Sequence, residues 1–174
     1  CTFVTALQGF MARSRYRFIR RLGHGLTGRV HLVEDIEANS LAAVKIVDRR
    51  IMQRISRRLQ ETSCEDLLRR EIAVLKKLEH PNIVKLYNVI DDGRSMHIVM
   101  EFVATCLADV EPPDDEVAAT IVAGLVDALS YCHSHYVVHR ILRTPTLCWP
   151  RTGSQQSYAT LVSPRSGGRQ KGAI

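Results

Sequence analysis

Metal-binding and disulfide patterns are missing from this chain. Its five cysteines, Cys1, Cys64, Cys106, Cys132 and Cys148, are scattered and odd in number. That distribution excludes a Cys/His metal motif and a disulfide framework, and it points to reduced thiols. Aromatic residues are scarce, at 6% of the chain. None interleaves with the basic segment Arg49–Arg58, so that segment indicates no stacking platform for DNA or RNA. There is no internal repeat, and no run is read as long enough to cross a membrane. The short apolar stretch before Met11 lacks a charged n-region and a continuous h-region, so it is not read as a signal peptide. Met11 precedes Ala12-Arg13-Ser14-Arg15-Tyr16 and the first strand, and it reads as a start. Thr2–Phe10 is then upstream sequence or part of a longer protein. This composition fits a cytoplasmic protein with no specific nucleic acid and no membrane among its partners.

What is present is an ordered set of residues. Gly23-His24-Gly25-Leu26-Thr27-Gly28-Arg29-Val30 is followed by Ala43-Val44-Lys45 and then by Glu71 in a helical pattern. Glycine loops of this kind occur in dinucleotide-binding folds, but there they open a helix. Here they run into the β-leaning Val30-His31-Leu32-Val33, a polar turn over 34–40, and a second strand pattern over 41–47. The glycines therefore sit in a strand-turn-strand element. Residues without Cβ let backbone N–H groups approach anionic oxygens, which suits phosphates. A glycine-rich hairpin without a ligand has the same letters. Lys45 lies in an apolar strand, where an ammonium is costly unless it finds a partner or snorkels to water.

Glu71 belongs to a helix expected over Glu65–Leu78. Ser63 and Asp66 have capping-box spacing, and Leu68, Ile72 and Leu75 form the apolar stripe. Glu71 adjoins that stripe. Arg49–Arg58 is strongly basic; it could attract acidic partners or nucleic acid, but it reads more simply as a solvated connection before the helix. The net charge of +6 lies partly in this segment and partly in the tail. Strands are expected at Val84–Ile90 and Met96–Val103, separated by Asp91-Asp92-Gly93-Arg94. Pro112-Pro113-Asp114-Asp115 starts a second helix over Asp115–His133. Its apolar face is Val117, Ile121, Leu125, Leu129 and Cys132, with Val122 and Val126 alongside. His133 and His135 read as a solvated helix end, since no cysteine or carboxylate cluster supports a metal.

Taken in order, these motifs resemble the protein kinase family. The segment Arg70–Leu86 and the Met96–Val103 run are most similar to calcium/calmodulin-dependent protein kinase kinases and related upstream Ser/Thr kinases. The resemblance implies an α+β fold, with a five-stranded antiparallel N-lobe sheet plus one helix and an incomplete helical C-lobe. It divides the chain into an extension over 1–15, an N-lobe and hinge over 16–103, a partial C-lobe over 104–146, and a disordered tail over 147–174. It implies ATP as the cofactor, held by Leu22, Gly23, Gly25, Gly28, Val30, Ala43, Lys45, Met100, Glu101 and Val103. Val30 lies over adenine, Met100 takes the gatekeeper position, and the backbones of Glu101 and Val103 bond the base. Lys45 pairs with Glu71 and the phosphates. His139 and Arg140 open the catalytic loop. A protein substrate is implied, and a regulatory protein partner is compatible with it.

The departures from that pattern fall at the catalytic positions. A kinase reads His-Arg-Asp where this chain reads His139-Arg140-Ile141. Isoleucine cannot accept the substrate proton. Arg143 stands for the loop lysine, Thr146 for the magnesium-binding asparagine, and no Asp-Phe-Gly occurs. Mg2+ is expected for the family, but its ligands are absent here. Loss of one nucleotide at Arg140, through a frameshifted gene, a sequencing error or missplicing, would account for both gaps. In the neighbouring frame, the codons from Arg140 permit His-Arg-Asp-Leu-Lys, two further residues and Asn. The codons of Ala159–Ser163 likewise permit Asp-Phe-Gly-Leu. Two readings remain: a Ser/Thr kinase fragment defective as translated, or a non-catalytic nucleotide-binding or scaffolding module.

Overall fold

The computed structural model describes residues 15–24, 28–59, 64–106, 114–138, 147–149 and 160–161. The chain divides into two compact units. The first combines Cys1–Glu65 with Lys85–Val103, and the second combines Asp66–Val84 with Ala104–Ile174.

The first unit is a five-stranded antiparallel sheet. Its strands are β1 (Tyr16–His24), β2 (Gly28–Asp35), β3 (Ser40–Asp48), β4 (Leu86–Asp91) and β5 (Ser95–Glu101). They lie in the order β1-β2-β3-β5-β4. Turn chemistry fixes the hairpins. Between β2 and β3, Asn39 takes a left-handed φ of 48°, and the Asp35 carboxylate accepts from the Ala38 amide. Between β4 and β5, Gly93 has φ 81°, a conformation that favours glycine. The Asp92 carboxylate beside it accepts from the amides of Arg94 and Ser95 and from His97 Nε2 at 3.0 Å.

Tyr16, Val33, Ala42, Val44, Ile46 and Val99 form one buried cluster, with Ile90 packed against it. Cross-strand pairs share a face of a sheet, and the pairs Val33–Ala42 and Val44–Val99 place these residues on one side. The alternate positions Leu32, Ala43, Val47, Met96 and Ile98 are also buried. Burial on both faces explains the nearly continuous apolar run over 41–47.

A helix not expected from the sequence follows β3. Arg49–Leu59 forms α1, where a solvated connection had been read. Met52 is buried, Ile51 and Ile55 are half-buried, and Arg50, Arg54 and Arg57 are exposed. Arg49 anchors its start by pairing with Asp91 at 2.5 Å and Glu65 at 3.3 Å.

The second helix, α2, spans Cys64–Leu75, three residues shorter than expected at its C-terminal end. Leu68 and Ile72 are buried as expected, whereas Leu75 is half-buried. Ser63 lies outside the described residues. The Cys64 amide is capped instead by Ser56 Oγ at 2.8 Å.

In the second unit, α3 covers Asp115–Ser134, and Asp114 accepts from the Val117 amide as its N-cap. By length and composition alone, α3 is long and apolar enough to cross a membrane, which corrects the reading that no run qualifies. Its buried residues are Ile121, Ala128 and Cys132. Ile83, Ala128 and Cys132 form a cluster with Leu78, Leu125, Leu129, Tyr131 and Val137. The expected face is buried at Ile121 and Cys132 and half-buried at Val117, Leu125 and Leu129. Val122 and Val126 are exposed.

A small three-stranded sheet joins β6 (Thr105–Cys106), β7 (Leu147–Trp149) and β8 (Thr160–Leu161), with β7 in the middle. The last two strands fall in the stretch expected to lack structure. The remaining residues of 147–174 lie outside the described ones.

Candidate functional site

The register of the large sheet brings most of the sequence-predicted binding residues to one face. Val30 pairs with Gly23 on β1 and with Lys45 on β3. Leu32 pairs with Ala43, and Ala43 pairs in turn with Met100 on β5. Two-residue periodicity therefore places Gly23, Gly28, Val30, Ala43, Lys45 and Met100 on the side opposite the Val33–Val44 cluster. Ala43 is buried, while Gly23, Gly28, Val30, Lys45 and Met100 are half-buried. Leu22, also half-buried, sits where the β1–β2 register shifts between Arg21 and Gly23.

Gly28 is required by a close approach. A Cβ built there would lie 2.2 Å from Ile46 O and 3.0 Å from Ile46 C. Both are backbone atoms and cannot rotate away. Gly23 has nothing within 4 Å of such a Cβ. Gly25 lies outside the described residues.

At the end of β5, the Glu101 amide donates to Lys85 O at 2.8 Å. Its carboxylate accepts from the Lys85 amide at 3.2 Å. The backbone N–H of Glu101 is thus already used, so of its two backbone groups only the carbonyl could meet a ligand. Val103 follows, half-buried and past the strand end. Glu71 stands on α2, half-buried, in the second unit. His139, Arg140 and Ile141 lie outside the described residues.

Sequence reasoning missed one polar cluster in the second unit. His80 Nδ1 accepts from the Asn82 amide at 3.1 Å, and His80 Nε2 sits 3.1 Å from Asp127 on α3. An accepting Nδ1 leaves the proton on Nε2, pointed at the carboxylate. The buried Asn82 also reaches Asp127, and the Tyr131 hydroxyl accepts from the Glu79 amide at 3.1 Å. Tyr131 packs between the rings of His80 and His135. Glu79-His80-Pro81-Asn82 lies within the Arg70–Leu86 segment singled out in the sequence; its partners on α3 were too distant along the chain to be seen.

Two strand histidines are also buried. His31 is 5% exposed and meets the edge of Phe18 at a centroid distance of 5.3 Å. Burial lowers its pKa, and the nearby Arg29 and Arg21 lower it further. His97 is fully buried against the Asp92 carboxylate. Desolvation pushes the Asp92 pKa up, but the hydrogen bonds from His97, Ser95 and Arg94 outweigh it and leave it lowered. Among the described residues, no group of three or more His, Cys, Asp or Glu side chains could hold a metal ion.

Comparison with known proteins places this geometry. The protein kinase domain profile matches residues 16–145. The carbon catabolite-derepressing protein kinase of Candida tropicalis is 33% identical over 138 residues, covering 76% of this chain and 21% of that protein. Its Candida albicans counterpart gives the same figures. Serine/threonine-protein kinase Aurora-1 of Arabidopsis thaliana is 32% identical over 131 residues, or 72% of this chain and 42% of that protein. The chain thus spans less than half the length of these curated relatives. Its five-stranded antiparallel sheet and accompanying helix have the form of a kinase N-lobe. With the profile covering most of its length, the chain belongs to the protein kinase family.

Proposed function

We propose that this chain is the ATP-binding portion of a serine/threonine protein kinase and that, as translated, it binds nucleotide without transferring phosphate. The observation that carries this reading is the register that gathers Gly28, Val30, Ala43, Lys45 and Met100 on one sheet face. Val30 and Ala43 offer an apolar surface for adenine, bordered by Met100. The Glu101 carbonyl and the Val103 N–H supply the two backbone groups that read its edge. Leu22, Gly23 and Gly25 belong to the loop over the phosphates. Lys45 supplies the cation for the phosphate oxygens, and Glu71 is the carboxylate assigned to steady it. ATP fits these residues and supplies the phosphoryl group.

Mg2+ does not fit as well. The catalytic-loop positions that would bind it or take the substrate proton carry Thr146 and Ile141. Isoleucine cannot take the substrate proton, and no Asp-Phe-Gly supplies the main magnesium carboxylate. The non-catalytic module is the second reading, favoured by that same isoleucine. Within the kinases, Arg70–Leu86 supports the calcium/calmodulin-dependent kinase kinase resemblance. A cytoplasmic setting and a protein substrate belong to the same proposal.

Lys45→Met tests the binding half of the reading. ATP should raise the melting temperature of the unmodified chain and do so far less for the variant, because a charge-assisted contact to phosphate is lost. Equal shifts in the two proteins would remove Lys45 from the site.

A further inference from the structure

Helix α1 is strongly basic. Arg49, Arg50, Arg54, Arg57 and Arg58 are five of its eleven residues, with no acidic side chain among them. The net charge of the whole chain is +6. Arg49 is held by Asp91 and Glu65. Arg50, Arg54 and Arg57 are spaced four and three residues apart, which stacks them along one side of the helix. All three are exposed. The other side carries buried Met52 and half-buried Ile51 and Ile55.

We infer that the Arg50–Arg54–Arg57 stripe is a docking surface for an acidic protein segment. Charge complementarity sets the occupant. Guanidinium groups about one helical turn apart, on the order of 5.4 Å, can each take a carboxylate in a two-pronged contact. A lipid surface fits less well, because a membrane-lying helix must insert its apolar side, and Met52 on that side is already buried in the protein. Nucleic acid fits less well too, because α1 has no aromatic side chain on which a base could stack. This surface does not depend on nucleotide binding.

The test uses the full chain and a fluorescein-labelled Glu-rich peptide, followed by fluorescence anisotropy at low salt. R54E/R57E should weaken binding at least about tenfold, since rim charges of this kind set encounter and specificity. K76E/K77E changes the charge equally at exposed positions outside α1 and should shift affinity less than about twofold. R54Q/R57Q should also lose binding while keeping the unmodified denaturation midpoint, which separates lost docking from lost folding. Three results would overturn the inference: no peptide binding by the unmodified chain, equal losses in R54E/R57E and K76E/K77E, or tighter binding to phosphatidylserine vesicles or single-stranded RNA than to the peptide.

Discussion

Replacing Gly28 by alanine should lower the stability of the chain while replacing Gly23 leaves it nearly unchanged. The new methyl at Gly28 would sit 2.2 Å from Ile46 O and 3.3 Å from Val47 Cα. Gly28 pairs with Val47 in the β2–β3 ladder, so relief of the overlap requires the two strands to separate there. Forcing a methylene-sized group into a packed site costs about 1–3 kcal/mol. With a urea slope of about 1–3 kcal/mol per molar for a small protein, the midpoint should fall by roughly 1 M. At Gly23 the methyl meets no atom within 4 Å, and the change should stay within about 0.5 kcal/mol. Urea denaturation of both variants, followed by circular dichroism, reads the difference. Equal midpoints would refute the argument from close approach.

Further predictions concern the buried polar groups. His31 is held neutral by burial and by Arg29 and Arg21. Its folded pKa lies below the unfolded one, so the unfolded state takes up the proton first and stability falls as pH drops below the usual histidine range. Denaturation midpoints measured downward from neutral pH should show this fall, and His31→Phe should flatten it. Asp92 has the opposite chemistry but a similar direction: its carboxylate pKa is depressed. Its stabilisation is present above the unfolded carboxylate pKa and is lost as pH falls through the folded one, so Asp92→Asn should be less sensitive to acid in that lower range. Tyr131→Phe leaves the Glu79 amide without its hydroxyl acceptor; it should cost about 1 kcal/mol, read as a lower denaturation midpoint.

The five strands and their antiparallel pairing were legible because local rules agree there. The 41–47 run alternates between two buried faces, and Asn39 and Gly93 mark turns that only a few residue types adopt. The shared sheet face of the candidate residues follows from the same periodicity, since Lys45 and Ala43 are two residues apart. Helix α1 was not legible. Its arginines dominate the composition and hid the apolar side formed by Ile51, Met52 and Ile55. Strands β7 and β8 carry no periodic signal of their own, being three and two residues long. β7 is defined by pairing with Thr105–Cys106, more than forty residues away along the chain, a contact that no window of local sequence contains. The Val122–Val126 side of α3 was read as part of the apolar face, but it is exposed because the buried side centres on Ile121, Ala128 and Cys132.

The central claim is that a kinase nucleotide site is present while the groups for phosphoryl transfer are not. Transfer of radiolabelled γ-phosphate from ATP to a generic protein substrate, with Mg2+ present and Lys45→Met as the reference, tests it most directly. The expected result is no incorporation above that of the variant, because Ile141 cannot accept the substrate proton. Incorporation by the unmodified chain that is lost in Lys45→Met would contradict the claim and show that other residues supply the missing base and metal ligands.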